Sequence, residues 1–163
     1  MELLASRIPQ RNYITYISNM GSEARLYGIS PDTKNDLRKF RMGTSSAKTP
    51  KAVIYLIDQN TQQIKQDDEE VYTTLEDISD ALPENSPRFV LLSYPVTLPD
   101  GRSMAPYILV YYMPATCSTS ARMMYAAAKE LMRATSEVGK VFDIEDAEDL
   151  LELPTKLVGE YKY

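Results

Sequence analysis

The stretch that most narrows the possible folds runs from Tyr107 to Ile144. An apolar run, Tyr107 to Met113, is followed by Ser118, a good helix cap, and then by helical periodicity reaching about Thr135. That pattern is about 18 residues long and would span roughly 27 Å. Val141–Ile144 then reads as a strand. A strand, a helix of that length and a second strand make a crossover, which pairs the two strands in parallel. Hairpins surround this unit. Ala52–Ile57 leads through the turn Asp58-Gln59-Asn60-Thr61 into a short strand ending near Ile64. Arg88–Val96 and Arg102–Met113 flank Leu98-Pro99-Asp100-Gly101, a strong turn signal. Their long apolar stretches predict central strands with both faces covered. The expected class is α/β (α+β), with a central mixed sheet of five to six strands sandwiched between helices.

The remaining helices are signalled by their starts. Ser30-Pro31-Asp32 offers a hydroxyl cap, a proline at the first helical position and an acid in the first turn. That helix is predicted to run to about Arg41 and stop before Gly43, with Leu37 and Phe40 inward and Arg38, Lys39 and Arg41 outward. Residues 44–50 read as a polar loop. Thr73 and Thr74, each with an acid three residues on, predict a short helix ending at Pro83. Asp146–Leu153 predicts a short acidic helix ended by Pro154. Residues 1–19 show no clean period, and Met20 opens Gly21-Ser22-Glu23-Ala24, which resembles a solvent-facing amino terminus. The expected organisation is a flexible extension or misassigned start over 1–19 and a single domain over 20–163.

Composition removes whole classes of chemistry. The chain has 163 residues, none of them histidine, which excludes Ser-His-Asp and Cys-His catalysis and histidine metal sites. A single cysteine, Cys117, allows no internal disulfide and favours a reducing compartment. No apolar run is long enough to cross a bilayer as a helix, and a net charge of −5 argues against nonspecific nucleic-acid binding. The charge is polarised, however. Six basic residues (Lys34, Arg38, Lys39, Arg41, Lys48, Lys51) face Asp36 alone between 34 and 51, while acids gather at Asp67–Glu70 and Asp143–Glu152. Such a molecule can orient itself on an acidic partner despite its negative total.

On the long helix, 100° steps put Met124, Ala127, Ala128 and Leu131 on one apolar side. Arg122, Lys129 and Arg133 fall together on the opposite side, with Met123 and Tyr125 on the shoulders. The ordinary reading is a solvated basic stripe over core residues. The functional reading is a ridge that meets a partner, with a methionine as adaptable apolar contact and cations giving orientation.

Met123-Met124-Tyr125-Ala126-Ala127-Ala128-Lys129, Lys140-Val141-Phe142-Asp143-Ile144 and Glu148-Asp149-Leu150 resemble the glia maturation factor family, a branch of the actin-depolymerizing factor/cofilin superfamily. Leu37-Arg38-Lys39-Phe40-Arg41 is similar to its first helix, and Pro83, Pro87-Arg88-Phe89-Val90, Ser93-Tyr94 and Asp100-Gly101-Arg102 to its central hairpin. These matches are collinear over about residues 20–153, and the small polar residues after the first helix resemble a fungal member. The resemblance implies the actin-depolymerizing factor homology (gelsolin-like) fold and a binding role without enzymatic activity or cofactor. It implies a monomer that binds the actin-related protein 2/3 complex, inhibits its nucleation of branches and detaches existing ones, with neither nucleic acid nor membrane as partner. The implied location is cytoplasmic, at cortical actin patches, and also nuclear. The surface implied for that complex carries Gly21, Ser22, Arg38, Lys39, Arg41, Arg122, Met123 and Lys129. A second, implied to touch the first actin subunit of the daughter filament, carries Pro99, Asp100, Gly101, Arg102, Glu148 and Asp149.

Two rival readings stand beside this one. A cofilin-type protein would sever filaments or bind actin monomers, yet Pro95-Val96-Thr97-Leu98-Pro99 lacks the basic residues cofilins use on filaments. Ser120 also stands where cofilin helices carry a lysine. An enzyme could use Asp143/Glu145 or Cys117, but no glycine-rich phosphate loop or metal-ligand spacing accompanies them. Ser22 reads either as a regulatory phosphorylation position by analogy or as a plain surface serine. The amino-terminal extension, if it persists, would crowd the groove-facing start of the domain.

Overall fold

A computed structural model describes residues 27–161. The element order is β1 (Gly28–Ile29), α1 (Pro31–Thr44), β2 (Lys51–Ile57), β3 (Gln63–Gln66), α2 (Leu75–Ala81), β4 (Arg88–Ser93), β5 (Val96–Thr97), β6 (Ser103–Met104), β7 (Tyr107–Tyr112), α3 (Thr119–Ser136), β8 (Val141–Ile144), a 3-10 helix (Ala147–Glu152) and α4 (Leu153–Glu160). Six strands form one mixed sheet in the order β1-β3-β2-β4-β7-β8, and β5 with β6 makes a small separate ribbon. The crossover through α3 leaves β7 and β8 parallel, Leu109 facing Val141 and Tyr112 facing Ile144.

The caps form where local chemistry demands them. Thr33, Asp77 and Ala121 each donate a backbone N–H, at 3.1 Å, to the side-chain oxygens of Ser30, Thr74 and Ser118. At the hairpin tip Gly101 N–H donates to Leu98 O (2.9 Å), and Gly101 sits at φ 88°, a conformation that favours glycine.

β4 and β7 lie inside the sheet, covered on both faces. Phe89, Leu91, Leu109 and Tyr111 point to one side, where they pack with Leu37 of α1 and Tyr125, Ala128, Leu131 and Met132 of α3. Val90, Leu92, Ile108, Val110 and Tyr112 point to the other, against Leu75 and Ile78 of α2, Leu150 of the 3-10 helix and Leu153 and Leu157 of α4. The two layers are therefore α1 with α3, and α2 with the carboxy-terminal helices.

The structure corrects several expectations. α1 runs through Gly43 to Thr44, whose hydroxyl donates to Phe40 O at 2.8 Å, so the glycine does not end it. The two long strands are each cut. Pro95 and Pro106 offer no N–H to the ladder, so β4 stops at Ser93 and β7 begins at Tyr107. Pro154 does not end a helix. It sits in the first turn of α4, where a missing N–H costs nothing, and the segment before it is 3-10. On α3 the buried side is centred on Tyr125, Ala128 and Met132, while Ala127 is exposed. Tyr125 and Met132 bury far more apolar area than Ala127 could, and that difference turns the helix away from the predicted orientation. The Tyr125 hydroxyl also accepts the buried Ile57 N–H at 3.0 Å.

Tyr125→Phe leaves that N–H without its acceptor, a loss of about 1–3 kcal/mol. Urea unfolding is expected to show a lower midpoint with an unchanged slope; an unshifted midpoint would contradict the bond. Alkaline pH is the destabilising direction. Burial, with Asp36 adding to it, pushes the Tyr55 phenol up to about 12, and burial with Asp143 pushes Tyr111 up to about 12. Burial also raises Tyr107 and Tyr125. An unfolded tyrosine ionises near pH 10, so between about 10 and 12 the unfolded chain releases protons the folded one keeps, and stability falls as pH rises. The Tm should hold to about pH 9.5 and drop above it, with phenolate absorbance appearing together with unfolding. Phenolate absorbance from all these tyrosines in a chain that stays folded would refute their burial.

Candidate functional surface

α1 and α3 lie side by side on one face of the sheet, so their charged residues share a layer. On α1, Arg38, Lys39 and Arg41 are exposed, as expected. Arg41 is not free: its guanidinium bonds Glu137 at 2.5 Å, just beyond the end of α3. Glu137 takes the left-handed conformation (φ 58°) that terminates the helix. Met42, one residue past the predicted end of α1, is 72% exposed beside Arg38. The sequence reading missed it because a helix stopped at Arg41 assigns Met42 no face.

On α3, Met123 is 68% exposed and lies on the outermost side rather than on a shoulder. Arg122 is exposed beside it and reaches the Pro114 carbonyl at 3.4 Å. Lys129 and Arg133 do not form an open ridge opposite the core, because the orientation of α3 brings them to its flank. Lys129 is paired with Asp143 of β8 at 2.8 Å, with its ammonium 4.5 Å from the centre of the Tyr111 ring. Arg133 is held by Glu130 one turn earlier at 2.5 Å. Arg38 and Arg41 lie alongside Leu131–Glu137, whereas Arg122 and Met123 occupy the first turns of α3, about 18 Å away along its axis. One layer carries both groups, but they do not touch. Gly21 and Ser22 lie outside the described residues.

The residues of the second predicted surface are split. Pro99–Arg102 form the tip of the β5–β6 ribbon, beyond the Ser93 end of β4, and Arg102 pairs with Asp100 at 2.7 Å. Glu148 sits near Tyr112, at the other end of the sheet, in a groove it shares with Asp80, Glu84, Glu145 and Asp146. Asp149 is spent on local structure, accepting the Asp146 N–H at 3.3 Å. α4 lies between the two groups and spans about 12 Å.

Of the features weighed for catalysis, Glu145 is exposed at the groove beside Tyr112 and the other two are drawn into structure. Cys117 is buried, its thiol 3.4 Å from the Met113 sulfur, and Asp143 is taken up by Lys129. Among the described residues, no three carboxylate or thiol groups converge to hold a metal, and no helix is long and apolar enough to cross a membrane.

Residues 26–154 match the family model described as cofilin/tropomyosin-type actin-binding protein. The chain is 34% identical over 124 residues to glia maturation factor beta of Homo sapiens, spanning 76% of this chain and 86% of that protein. It is 35% identical over 145 residues to Protein AIM7 of Saccharomyces cerevisiae, spanning 82% and 97%. Its structure matches the solution structure of glia maturation factor from Caenorhabditis elegans with a TM-score of 0.64 and 30% identity, over 78% of this chain and 94% of that one. A crystal structure of Streptomyces griseoflavus cofilin matches with a TM-score of 0.68 at 12% identity, over 84% and 99%, a likeness of fold alone. The architecture is thus the actin-depolymerizing factor homology fold, and the chain belongs to the cofilin/tropomyosin-type actin-binding family in its glia maturation factor branch, a family of actin regulators rather than enzymes.

Proposed function

We propose that this chain binds the actin-related protein 2/3 complex, inhibits its nucleation of actin and promotes debranching of filament networks. In this reading it works in the cytoplasm at cortical actin patches, and also in the nucleus. The observation that carries the proposal is Met123, 68% exposed on the outer side of α3 with Arg122 beside it and the small Ala126 and Ala127 around it. Covering that methionine with a partner would contribute up to about 1.5–3 kcal/mol. Its flexible, polarizable side chain fits an irregular apolar groove, such as that of an actin-like subunit, while Arg122 and the cations of α1 orient the approach to an acidic surface. Debranching then needs no bond chemistry. The protein has only to bind the dissociated junction more tightly than the intact one, and about 1.4 kcal/mol of preference shifts that balance tenfold.

The ribbon tip favours this reading over filament severing. Its one cation, Arg102, is already engaged by Asp100, and the preceding Pro95–Pro99 segment holds no charge to meet a filament. In the proposed complex the daughter-filament contact is made by two patches, the ribbon tip and the 3-10 helix, with α4 between them.

Met123→Ala combined with Arg122→Ala is expected to weaken capture of the purified 2/3 complex roughly tenfold or more and to restore branch lifetime in single-filament fluorescence. Wild-type protein that cosediments tightly with bare filaments but fails to capture the complex would establish the cofilin-type alternative instead. Arg38→Ala with Arg41→Ala should also weaken capture, with the larger loss at low salt, where screening removes less of the attraction. Equal affinity of wild type and double variant at low salt would remove α1 from the surface.

A further inference from the structure

We propose that the groove between α1 and the second half of α3 is a docking site for an acidic segment of a partner protein, one that carries an apolar side chain between its carboxylates. The inference rests on the reading of α1 as a partner-facing helix and names the chemistry of what it meets. The groove has a volume of about 300 Å³ and is walled by Lys34, Arg38 and Arg41 on one side and by Leu131, Ala134 and Thr135 on the other, with Leu37 among its lining residues. That is the lower end of the ligand-site range, room for a few side chains of a peptide lying across it.

The charges on its walls are one-sided. Lys34 and Arg38 stand one turn apart on the same side of α1, and among the described residues neither has a carboxylate partner. Burial alone holds the Lys34 ammonium below its ordinary range, a cost that an incoming carboxylate would offset. The one acid at the groove, Glu137, is neutralised by Arg41. Asp32 and Asp36 fall on the other flank of α1 by helical spacing. Up to Glu137 the α3 wall is uncharged, and the small Ala134 and Thr135 leave the space open instead of filling it. Met42, one turn after Arg38 on α1, is exposed outside the groove. Lys34 and Arg38 beside a wall of Leu131, Ala134 and Thr135 complement an Asp/Glu-rich segment with one apolar anchor better than they complement a free anion or a neutral helix.

The test is fluorescence anisotropy of the full chain with a short labelled peptide of Asp and Glu around one central Leu, beside the same peptide with Lys in place of the acids. Saturable binding of the acidic peptide alone is expected. It should weaken roughly tenfold with Lys34→Glu plus Arg38→Glu, weaken also with Ala134→Leu, which fills the groove without changing charge, and persist with Met123→Ala. Circular dichroism and thermal unfolding of each variant check that it remains folded. Binding that does not saturate, or that Ala134→Leu leaves unchanged, overturns the proposal as diffuse charge attraction. Displacement of the peptide by inorganic phosphate, but not by chloride at the same ionic strength, overturns it in favour of a free anion. A dimer in sedimentation that dissolves with Lys34→Glu overturns it in favour of a second copy of the chain. Failure of the peptide to bind while wild type still captures the 2/3 complex sinks the groove alone; peptide binding without capture sinks the proposed function alone.

Discussion

Most of the molecule depends on the pairing of Arg88–Ser93 with Tyr107–Tyr112 through six consecutive residue pairs, from Arg88 opposite Tyr112 to Ser93 opposite Tyr107. Because side chains alternate along a strand, this one ladder feeds two cores at once. Phe89 and Leu109 demand cover on one face, Val90 and Ile108 on the other, and neither face can be left to solvent without losing several fully buried side chains. The helices answer that demand. α1 and α3 close one side and α2, the 3-10 helix and α4 the other, so the placement of the charges on those helices follows from how the sheet's two faces are covered.

Within that frame the electrostatics are less generous than the count of basic residues suggests. Arg41, Lys129 and Arg133 each have an acidic partner in the folded chain, and Arg102 is engaged at the ribbon tip. Exposed pairs of this kind contribute only about 0–1 kcal/mol, so a partner with better geometry can displace them, but they lower the charge an approaching surface meets. Among the described residues of α1 and α3, the cations without a carboxylate partner are a smaller set: Lys34, Arg38 and Lys39 on α1, and Arg122 next to Met123 on α3. Lys129 illustrates the double duty of such residues, since its position over Tyr111 and its bond to Asp143 tie α3 to β8.

Features governed by near neighbours were legible before the fold was known. The caps at Ser30, Thr74 and Ser118, the turn at Leu98–Gly101 and the parallel pairing forced by the α3 crossover all depend on residues a few positions apart or on the length of one helix. Where a residue type has two local meanings, the reading failed. Pro154 starts a helix as easily as it ends one, Gly43 is tolerated inside one, and Pro95 and Pro106 shortened strands that apolar content alone had extended. The two-residue β1, parallel to β3, carries too little pattern to be seen at all.

The order of α1, the two hairpins, α2, α3 and β8, the two-faced central strands, the exclusion of histidine chemistry and the identity of the cationic residues on α1 and α3 were determined by the sequence by itself, because each follows from composition or from short-range periodicity. Which of those cations stay available was decided only by the tertiary structure. Arg41 meets an acid 96 positions away and Lys129 one 14 away, while the orientation of α3 is set by how Tyr125 and Met132 fit a core built from the whole chain. Distances between residues far apart in sequence arise from packing, and helical spacing carries no record of them.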